Sequence, residues 1–373
     1  MTSFHPTGLP SLRRALGFCS LLILGAGLQA QAPKAAIAPD QLLLKDYRPR
    51  SIFKVPQTRI EKARYPTIDI HSHPYAETEA EVAAWVKTMD AVGIEKTVIL
   101  FGSTGKAFDE ASQKYRKFPA RFELWCGIDF TGFDQPGFGP AALAELERCR
   151  RLGAVGVGEI TDKGGGLNGN AGGMHLDDPR MDAILEKCAE LGLPINVHVG
   201  EDQWMYEPQD QTNDGLMNAF EWKIPNRPDV LRHDQVIATL GRAVKKHPRT
   251  LFIACHLANC CHDLAILGTM LDKYPNLYAD IGARYGETAP IPRQVARFLG
   301  RYQDRILYGT DMGMEAEMYR TTFRILESED EHFYETELFG YHWPLYGFGL
   351  KATILKKVYS ENARAVMKRA KQP

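Results

Sequence analysis

The strongest constraint on the fold of this chain is a repeated alternation of short apolar segments with amphipathic helical segments, beginning at Tyr65. Eight segments have the composition of buried strands; in order they are TIDIHSH, KTVILFG, FELWCGIDF, GAVGVGEI, LPINVHVG, TLFIACHL, LYADIGA and RILYGTD. Each but the last is followed by a helix candidate that leads to the next strand. Near-continuous apolar strands separated by helices predict a parallel sheet covered by helices. Eight such units predict an α/β fold, a closed (β/α)8 TIM barrel with long loops at its C-terminal face.

The segment after the first strand shows the helical pattern clearly. Thr78 and Glu81 have the spacing of a capping box. Apolar residues then recur at helical intervals, at Val82, Trp85, Val86, Met89 and Val92.

An open doubly wound sheet is the competing arrangement. Such a sheet would carry a phosphate-binding glycine fingerprint after its first strand, whereas this strand ends in HSHP. The glycine-rich segment KGGGLNGNAGG lacks the Gly-Lys-Ser/Thr ending of a phosphate loop. We therefore interpret it as a flexible loop after the fourth strand.

The first 64 residues precede the repeat and divide into two parts. Two arginines precede the uncharged run ALGFCSLLILGAGLQA, whose apolar part is shorter than the ~20 residues needed to span a bilayer. We predict a signal peptide at residues 1–30, cleavage near Ala30, export to the periplasm or the exterior, and no stable membrane anchor. The sequence leaves the general and twin-arginine export routes open. Residues 31–64 are predicted to be an N-terminal extension of the main domain, residues 65–373.

Composition and cysteine usage narrow the class of protein. The chain is 44% hydrophobic and 24% charged with a formal net charge of -1, which is typical of a soluble globular protein and gives no indication of a nucleic-acid partner. Of seven cysteines, Cys19 lies in the predicted signal peptide and the other six do not form a disulfide framework. Cys149 and Cys188, in consecutive predicted helices, are either one disulfide or two buried thiols. The oligomeric state stays open, a homo-oligomer included.

Polar residues stand at the carboxyl ends of the predicted strands, which converge on one mouth of a barrel. They are His71 and His73 on the first strand, Glu159 on the fourth, His198 on the fifth, His256 on the sixth and Asp311 on the eighth. Because residues i and i+2 of a strand project to the same face, His71 and His73 can both point inward. Three imidazoles and a carboxylate, those of His71, His73, His198 and Asp311, suit Zn²⁺. A single histidine is more often structural, but several donors at one mouth predict a metal site.

Four of these strand ends also carry family motifs. IDIHSHP, INVHVG, ACHLAN and LYGTDMG resemble the metal-dependent amidohydrolase superfamily, and more closely the amidohydrolase-related (amidohydrolase 2) branch that includes the nonoxidative decarboxylases. The resemblance covers roughly residues 65 to 370 and implies that residues 65–373 form an amidohydrolase-type barrel. The metal ligands that it implies are His71, His73, His198 and Asp311. His256 would be an acid/base beside the metal, or a ligand if a second ion is bound.

Glu159 stands where some members of the superfamily carry a bridging lysine and others a glutamate. The absence of a lysine argues against a binuclear centre bridged by a carboxylated lysine. We therefore favour one divalent ion, Zn²⁺ in the first instance with Mn²⁺ as the alternative. Glu159 is then either an additional ligand or a structural carboxylate.

The resemblance implies two reactions that use the same ligands. In the first, a metal-activated water hydrolyses a small-molecule ester, lactone or amide; Asp311 transfers the proton and His256 stabilises the oxyanion. In the second, the enzyme is a nonoxidative decarboxylase of a small aromatic or unsaturated carboxylic acid. Predicted export favours the hydrolase, since a pathway decarboxylase would act on intracellular metabolites. A metal-binding protein without catalysis is the non-enzymatic alternative, which the presence of both His256 and Asp311 argues against.

Two further regions are predicted to contact the substrate. Arg284 follows the seventh strand in DIGARYG, where it either clamps a substrate carboxylate or forms a structural salt bridge. The long segment after the fifth strand carries Trp204 and Trp222 and is predicted to be a lid over the mouth. Its alternative is plain packing over the barrel rim.

Overall fold

The computed structural model describes residues 37–339 and 341–370, so the predicted signal peptide lies outside the described residues. The chain divides into a short unit that ends at Leu42 and a main unit that begins at Leu43. No helix in the described part of the chain is long and apolar enough to cross a membrane.

Eight strands form one sheet whose spatial order follows the chain, and every neighbouring pair is parallel. The strands are β1 Thr67–Ser72, β2 Ile94–Leu100, β3 Phe122–Cys126, β4 Ala154–Asp162, β5 Ile195–Val199, β6 Phe252–Ala254, β7 Leu277–Asp280 and β8 Ile306–Leu307. Backbone hydrogen bonds join the two ends of the sheet. The Ile70 N–H donates to the Tyr308 carbonyl (3.0 Å), and the Asp311 N–H donates to the His71 carbonyl (2.9 Å). These features confirm the predicted (β/α)8 barrel.

Helices connect the strands and continue the chain after the last one. They are α1 Glu79–Val92, α2 Gly105–Tyr115, α3 Phe138–Arg151, α4 Asp182–Leu191, α5 Leu216–Trp222, α6 His233–Lys246, α7 Leu264–Lys273, α8 Tyr285–Thr288, α9 Pro292–Arg301, α10 Ala316–Glu327, α11 Ala352–Lys356 and α12 Asn362–Ala370. The first of them begins as the sequence indicates. The Thr78 side chain accepts a hydrogen bond from the Glu81 N–H (3.2 Å), and the Glu81 carboxylate accepts one from the Thr78 N–H (2.9 Å).

The interior of the barrel is filled by apolar side chains at its amino-terminal end. Ile68 and Ile70 of β1, Val98 and Leu100 of β2 and Trp125 of β3 belong to this inner cluster, together with Ala363 and Val366 of α12. The Asn362 side chain of α12 donates to the Gln303 and Ile306 carbonyls, both at 2.7 Å. With this end packed, the polar residues that end the strands lie at the other end.

The segment before β1 has little regular structure but contacts α10 and the chain after it. The Thr58 N–H and hydroxyl donate to Asp330 at 2.7 and 2.6 Å, and the Arg64 N–H donates to Glu327 at 2.9 Å. The boundaries of the N-terminal extension stay a prediction.

The glycine-rich segment after β4 differs from the flexible loop that we expected. Gly166–Leu167 and Ala171–Gly172 pair as a small antiparallel hairpin, and the side chains of Leu167 and Ala171 are buried. Asp162 anchors its base by accepting a hydrogen bond from the Gly164 N–H (2.9 Å). Gly166 has a φ of 115°, and a Cβ there would lie 2.2 Å from the Ala171 carbonyl oxygen. Only glycine allows the two backbone segments of the hairpin to come this close.

Candidate metal centre and cavity

Five predicted donor side chains surround one point at the carboxyl ends of the strands. His73 Nε2 lies 3.1 Å from Asp311 Oδ1 and 3.5 Å from Glu159 Oε2. His256 Nε2 lies 3.3 Å from Glu159 Oε1. His71 Nε2 faces the same carboxylates, 3.7 Å from Asp311 and 3.9 Å from Glu159. The barrel thus brings together groups from β1 and the residue after it, from β4, and from the segments after β6 and β8.

In three of the imidazoles, the nitrogen that points away from the centre, Nδ1, contacts an oxygen atom of the surrounding protein. The partners of Nδ1 are the Asp280 carboxylate for His71, the Leu100 carbonyl for His73 and the Gly282 carbonyl for His256, at 3.0, 3.0 and 2.7 Å. Because these oxygens accept hydrogen bonds, the single proton of each neutral ring belongs on Nδ1, which leaves the lone pair of Nε2 free for a cation. This arrangement would orient the three imidazoles towards a bound ion.

An unpartnered nitrogen and the spacing of the donor atoms indicate that this centre can bind a divalent ion. Within the described part of the chain, His71 Nε2 is buried and has no hydrogen-bond partner. Leaving such an atom unsatisfied costs about 1–3 kcal/mol. Its distances to the two carboxylates exceed a hydrogen bond but are near the ~3.4 Å that separates two ligands of one tetrahedral ion with Zn–N bonds near 2.0–2.1 Å. Imidazole nitrogens and carboxylate oxygens suit Zn²⁺ and Mn²⁺.

His198 is oriented differently from the other imidazoles. Its Nδ1 lies 2.8 Å from Glu159 Oε1 and 3.2 Å from His256 Nε2, while its Nε2 is 2.9 Å from the Gly200 carbonyl. Two compact groups of donor atoms form among the described residues, and His198 belongs to neither. The structure places it against Glu159, and its role as a metal ligand stays a prediction.

Charge in the centre is balanced between carboxylates and imidazoles. Burial would raise the pKa of Asp311 and Glu159, but the imidazoles beside them hold both pKa values well below the usual range. Both carboxylates are therefore ionised and can neutralise a cation. His256 is the exception among the imidazoles, because burial and the charge of Arg284 lower its pKa.

The sixth strand is shorter than TLFIACHL predicts. It ends at Ala254, and the next turn contains four consecutive non-glycine residues, His256 to Asn259, with φ between 53° and 59°. A left-handed conformation costs roughly 1–2 kcal/mol per residue. The turn is buried, and the Asn259 side chain secures it by donating to the Val199 carbonyl (3.1 Å). Asp311, with a φ of 52°, is held in the same region, so both predicted catalytic residues lie on strained backbone.

A cavity of ≈ 470 Å³ opens above the centre, and Glu159, His198, His256 and Asp311 are part of its lining. Of the two tryptophans predicted to contact substrate, Trp222 lines this cavity and Trp204 does not. Trp204 packs against Trp343, with ring centroids 5.8 Å apart, and against Gly215, where a Cβ would come within 2.6 Å of the ring. Its side chain therefore fills the base of the loop.

Arg284 also lines the cavity, but it is buried and faces carboxylates of the protein itself. Its partners are Asp202, Glu201 and Glu287, whose oxygens lie 2.9, 3.4 and 3.7 Å from its nitrogens. Arg284 Nε also donates to Asn259 Oδ1 at 3.0 Å. Lys163, the other cation of the lining, pairs with Glu201. Arg284 thus has the contacts of the structural alternative that the sequence left open.

Three residues of the centre were missed by sequence reasoning. Asp280 ends β7 in LYADIGA, so the strand-end rule that found the histidines would have found it. Tyr75 donates a hydrogen bond to Asp311 Oδ1 (3.2 Å), but it lies beyond β1 and has no positional signal. Cys255 directly precedes His256 and joins one of the two compact donor groups.

Comparisons with known proteins identify the family of this chain. A family model described as amidohydrolase (Amidohydro_2) matches residues 58–369. No curated protein sequence matches the chain.

Solved structures show the same fold at low identity. A putative amidohydrolase from Staphylococcus aureus has a TM-score of 0.53 and 16% identity, covering 81% of this chain and 99% of its own. 2,6-Dihydroxybenzoate decarboxylase from Rhizobium has a TM-score of 0.50 and 16% identity over 82% of this chain and 99% of its own. 4-Oxalomesaconate hydratase from Rhodopseudomonas palustris has a TM-score of 0.50 and 16% identity over 82% of this chain and 96% of its own. Because the family model spans most of the sequence, including every strand of the barrel, this chain belongs to the amidohydrolase family.

Proposed function

We propose that this enzyme is a metal-dependent hydrolase of a small-molecule ester, lactone or amide. The observation that carries the proposal is the convergence of imidazole nitrogens and two ionised carboxylates at the floor of a ≈ 470 Å³ cavity. The residues that would hold the ion are His71, His73, His198 and Asp311, with Glu159 at the centre of the group. When bound, a divalent ion lowers the pKa of water and polarises a carbonyl.

Asp311 is positioned to transfer the proton. Its Oδ1 accepts a hydrogen bond from the Tyr75 hydroxyl (3.2 Å) and lies 3.1 Å from His73 Nε2, which fixes the carboxylate plane. The side chain is 20% exposed, so it reaches the cavity. An ionised carboxylate at this place can accept a proton from the attacking water and return it to the leaving group.

His256 suits a different role from the oxyanion stabiliser that we predicted. Its Nδ1 is committed to the Gly282 carbonyl (2.7 Å), and its lowered pKa favours the neutral ring. Nε2 then carries a lone pair, which accepts a proton or binds a cation but donates no hydrogen bond to an oxyanion. We propose that His256 serves as a base or a ligand.

The charges of the cavity wall favour hydrolysis over decarboxylation. Among the described residues of the lining, the lysine and arginine side chains are those of Lys163 and Arg284, and both are paired with acidic side chains. An aromatic or unsaturated carboxylate would gain no uncommitted lysine or arginine from these residues, whereas a neutral ester, lactone or amide needs none.

The test begins with purified protein whose metal content is measured before and after chelation. Protein reloaded with Zn²⁺ or Mn²⁺ is then assayed on esters, lactones and amides, and in parallel on aromatic carboxylic acids with detection of CO₂. We expect metal-dependent hydrolysis of neutral substrates. Release of CO₂ without hydrolysis would overturn the hydrolase proposal in favour of the carboxy-lyase, and activity that survives metal removal would overturn both.

We also propose that the enzyme is exported, on the signal-peptide pattern of residues 1–30. Cell fractionation and amino-terminal sequencing of the mature chain test this. We expect a new amino terminus close to residue 31, and an intact terminus in the cytoplasmic fraction would contradict export.

A further inference from the structure

We infer that Cys255 supplies a sulfur ligand to the metal centre and makes the centre prefer Zn²⁺ to Mn²⁺. The inference rests on the proposed metal dependence and concerns which ion the protein selects. It does not depend on which bond the enzyme breaks.

Cys255 lies at the floor of the centre. It directly follows β6, on which Ile253 belongs to the inner cluster of the barrel. The Cys255 side chain is fully buried, and its thiol contacts Asn196 of the neighbouring strand β5. Its Sγ forms a compact group with donor atoms of His71, Glu159 and His256, all within 4.8 Å of one another.

This group contains donor types that Zn²⁺ accepts. It offers two imidazole nitrogens, one carboxylate oxygen and one sulfur, and the sulfur would bind the same ion as the ligands proposed above. Imidazole and carboxylate ligands alone discriminate weakly between ions, whereas a thiolate selects soft or borderline ions over Mn²⁺. When the ion binds, the thiol proton passes to solvent and the sulfur bonds to the ion.

The second compact group shares His71 with the first, and its Asp311 lines the cavity. It consists of His71, His73 and Asp311. Asp311 is partly exposed, whereas Cys255 is not. The sulfur therefore lies on the buried side of the site, leaving the cavity side to Asp311 and the substrate.

A purely structural role for the thiol is the competing explanation. The Cys255 thiol donates to Asn196 Oδ1 at 2.6 Å, and the Asn196 amide donates to Asp280 Oδ2 at 3.1 Å. Asp280 in turn holds His71 Nδ1 at 3.0 Å. A serine hydroxyl can replace the donor to Asn196 but cannot replace a soft sulfur ligand. Cys255→Ser therefore separates the two roles.

The first experiment loads the full chain with Co²⁺ and records its absorption spectrum. We expect a sulfur-to-cobalt charge-transfer band in the near ultraviolet. The band should be absent from Cys255→Ser and present in Cys260→Ser, a matched control whose buried thiol donates instead to the Ala258 carbonyl (3.2 Å). Bound cobalt without the band in the unmodified protein would overturn the inference, and that result needs no variant to fold.

The second experiment measures the competition between Zn²⁺ and Mn²⁺ by metal analysis after equilibrium dialysis. We expect Cys255→Ser to lower the Zn²⁺/Mn²⁺ preference by about 10–100-fold, in the range by which changes beside a metal alter affinity, with Cys260→Ser unchanged. An unchanged ratio in Cys255→Ser would overturn the sulfur ligand. Neither readout requires turnover, so a protein that shows the band but hydrolyses nothing would overturn the proposed function alone.

Discussion

The floor and the roof of the cavity are built in different ways. The floor consists of side chains at and near the strand ends that are buried or partly buried, and neighbouring groups hold them in place, as the Leu100 carbonyl holds His73 (3.0 Å). The roof consists of the loop after β5 with α5, whose Trp222 is 50% exposed and whose Phe220 is 67% exposed. The roof is held by contacts within the loop, such as the Asn213 side chain donating to the Trp204 carbonyl (3.0 Å), and by packing of Trp204 against Trp343.

This difference separates the chemistry from the selection of substrate. A group on the floor cannot move without disturbing several buried hydrogen bonds, so the donors are preorganised. A half-exposed side chain on the roof can shift at little cost, so it adapts to what enters. Changes to the floor should therefore alter turnover, metal affinity or stability, and changes to the roof should alter KM.

The largest effect is expected at Asp311. Asp311→Asn removes the ionised oxygen that takes the proton, and we expect kcat to fall by about 10²–10⁴-fold while the circular dichroism spectrum is kept. The matched control is Glu315→Gln, four residues further along and outside the donor groups. A variant that keeps full activity would remove Asp311 from the mechanism.

The second-largest effect is expected at Asp280, which contacts the donor His71 and does not itself face the centre. Asp280→Asn replaces an acceptor of His71 Nδ1–H with an amide, which loosens the ring and its tautomer. We expect metal affinity to fall by about 10–100-fold, measured by competition with a chromophoric chelator. Asp272→Asn is the control, because among the described residues the Asp272 carboxylate contacts only Arg301 and Tyr302, far from the donor groups in the chain. Equal affinities for the two variants would show that the floor does not depend on Asp280.

Protons and a metal ion should compete for the floor. In metal-free protein, burial disfavours protonated His71 and His198, but the carboxylates around them outweigh this and raise both pKa values from 6.5 to about 9. Because these folded-state values lie above the unfolded value, the stabilisation is complete below pH 6.5 and is lost as the pH rises through 9. We expect the Tm of chelator-treated protein to fall across that window and the Tm of Zn²⁺-loaded protein to change less. A flat profile without metal would contradict this charge balance.

The smallest effect is expected on the roof. Trp222→Ala removes a half-exposed ring from the cavity wall. We expect the substrate to lose about 1 kcal/mol of binding free energy, which raises KM roughly fivefold, and the metal content to stay unchanged. Phe220→Ala lies on the same helix but outside the cavity lining, and it should leave KM unchanged. A large loss of kcat in Trp222→Ala would mean that the roof takes part in the chemistry.

Much of the floor could be predicted from sequence because strand ends in a barrel have fixed positions. His71, His256 and Asp311 were found by this rule, and Asp280 obeys it as well. The ion pairs of Arg284 could not be predicted from sequence. Its partners Asp202 and Glu201 lie in a loop whose path depends on packing.

The sequence by itself determined the barrel, since hydrophobic periodicity and the position of polar residues at strand ends are local properties of the chain. It also determined which residue types meet at the mouth. Only the tertiary structure decided which nitrogen of His256 faces the centre, that Trp204 packs against Trp343 while Trp222 reaches the cavity, and that Cys255 lies beside the candidate metal donors. These outcomes depend on distances between atoms far apart in the chain, which side-chain packing and hydrogen bonding set only after folding.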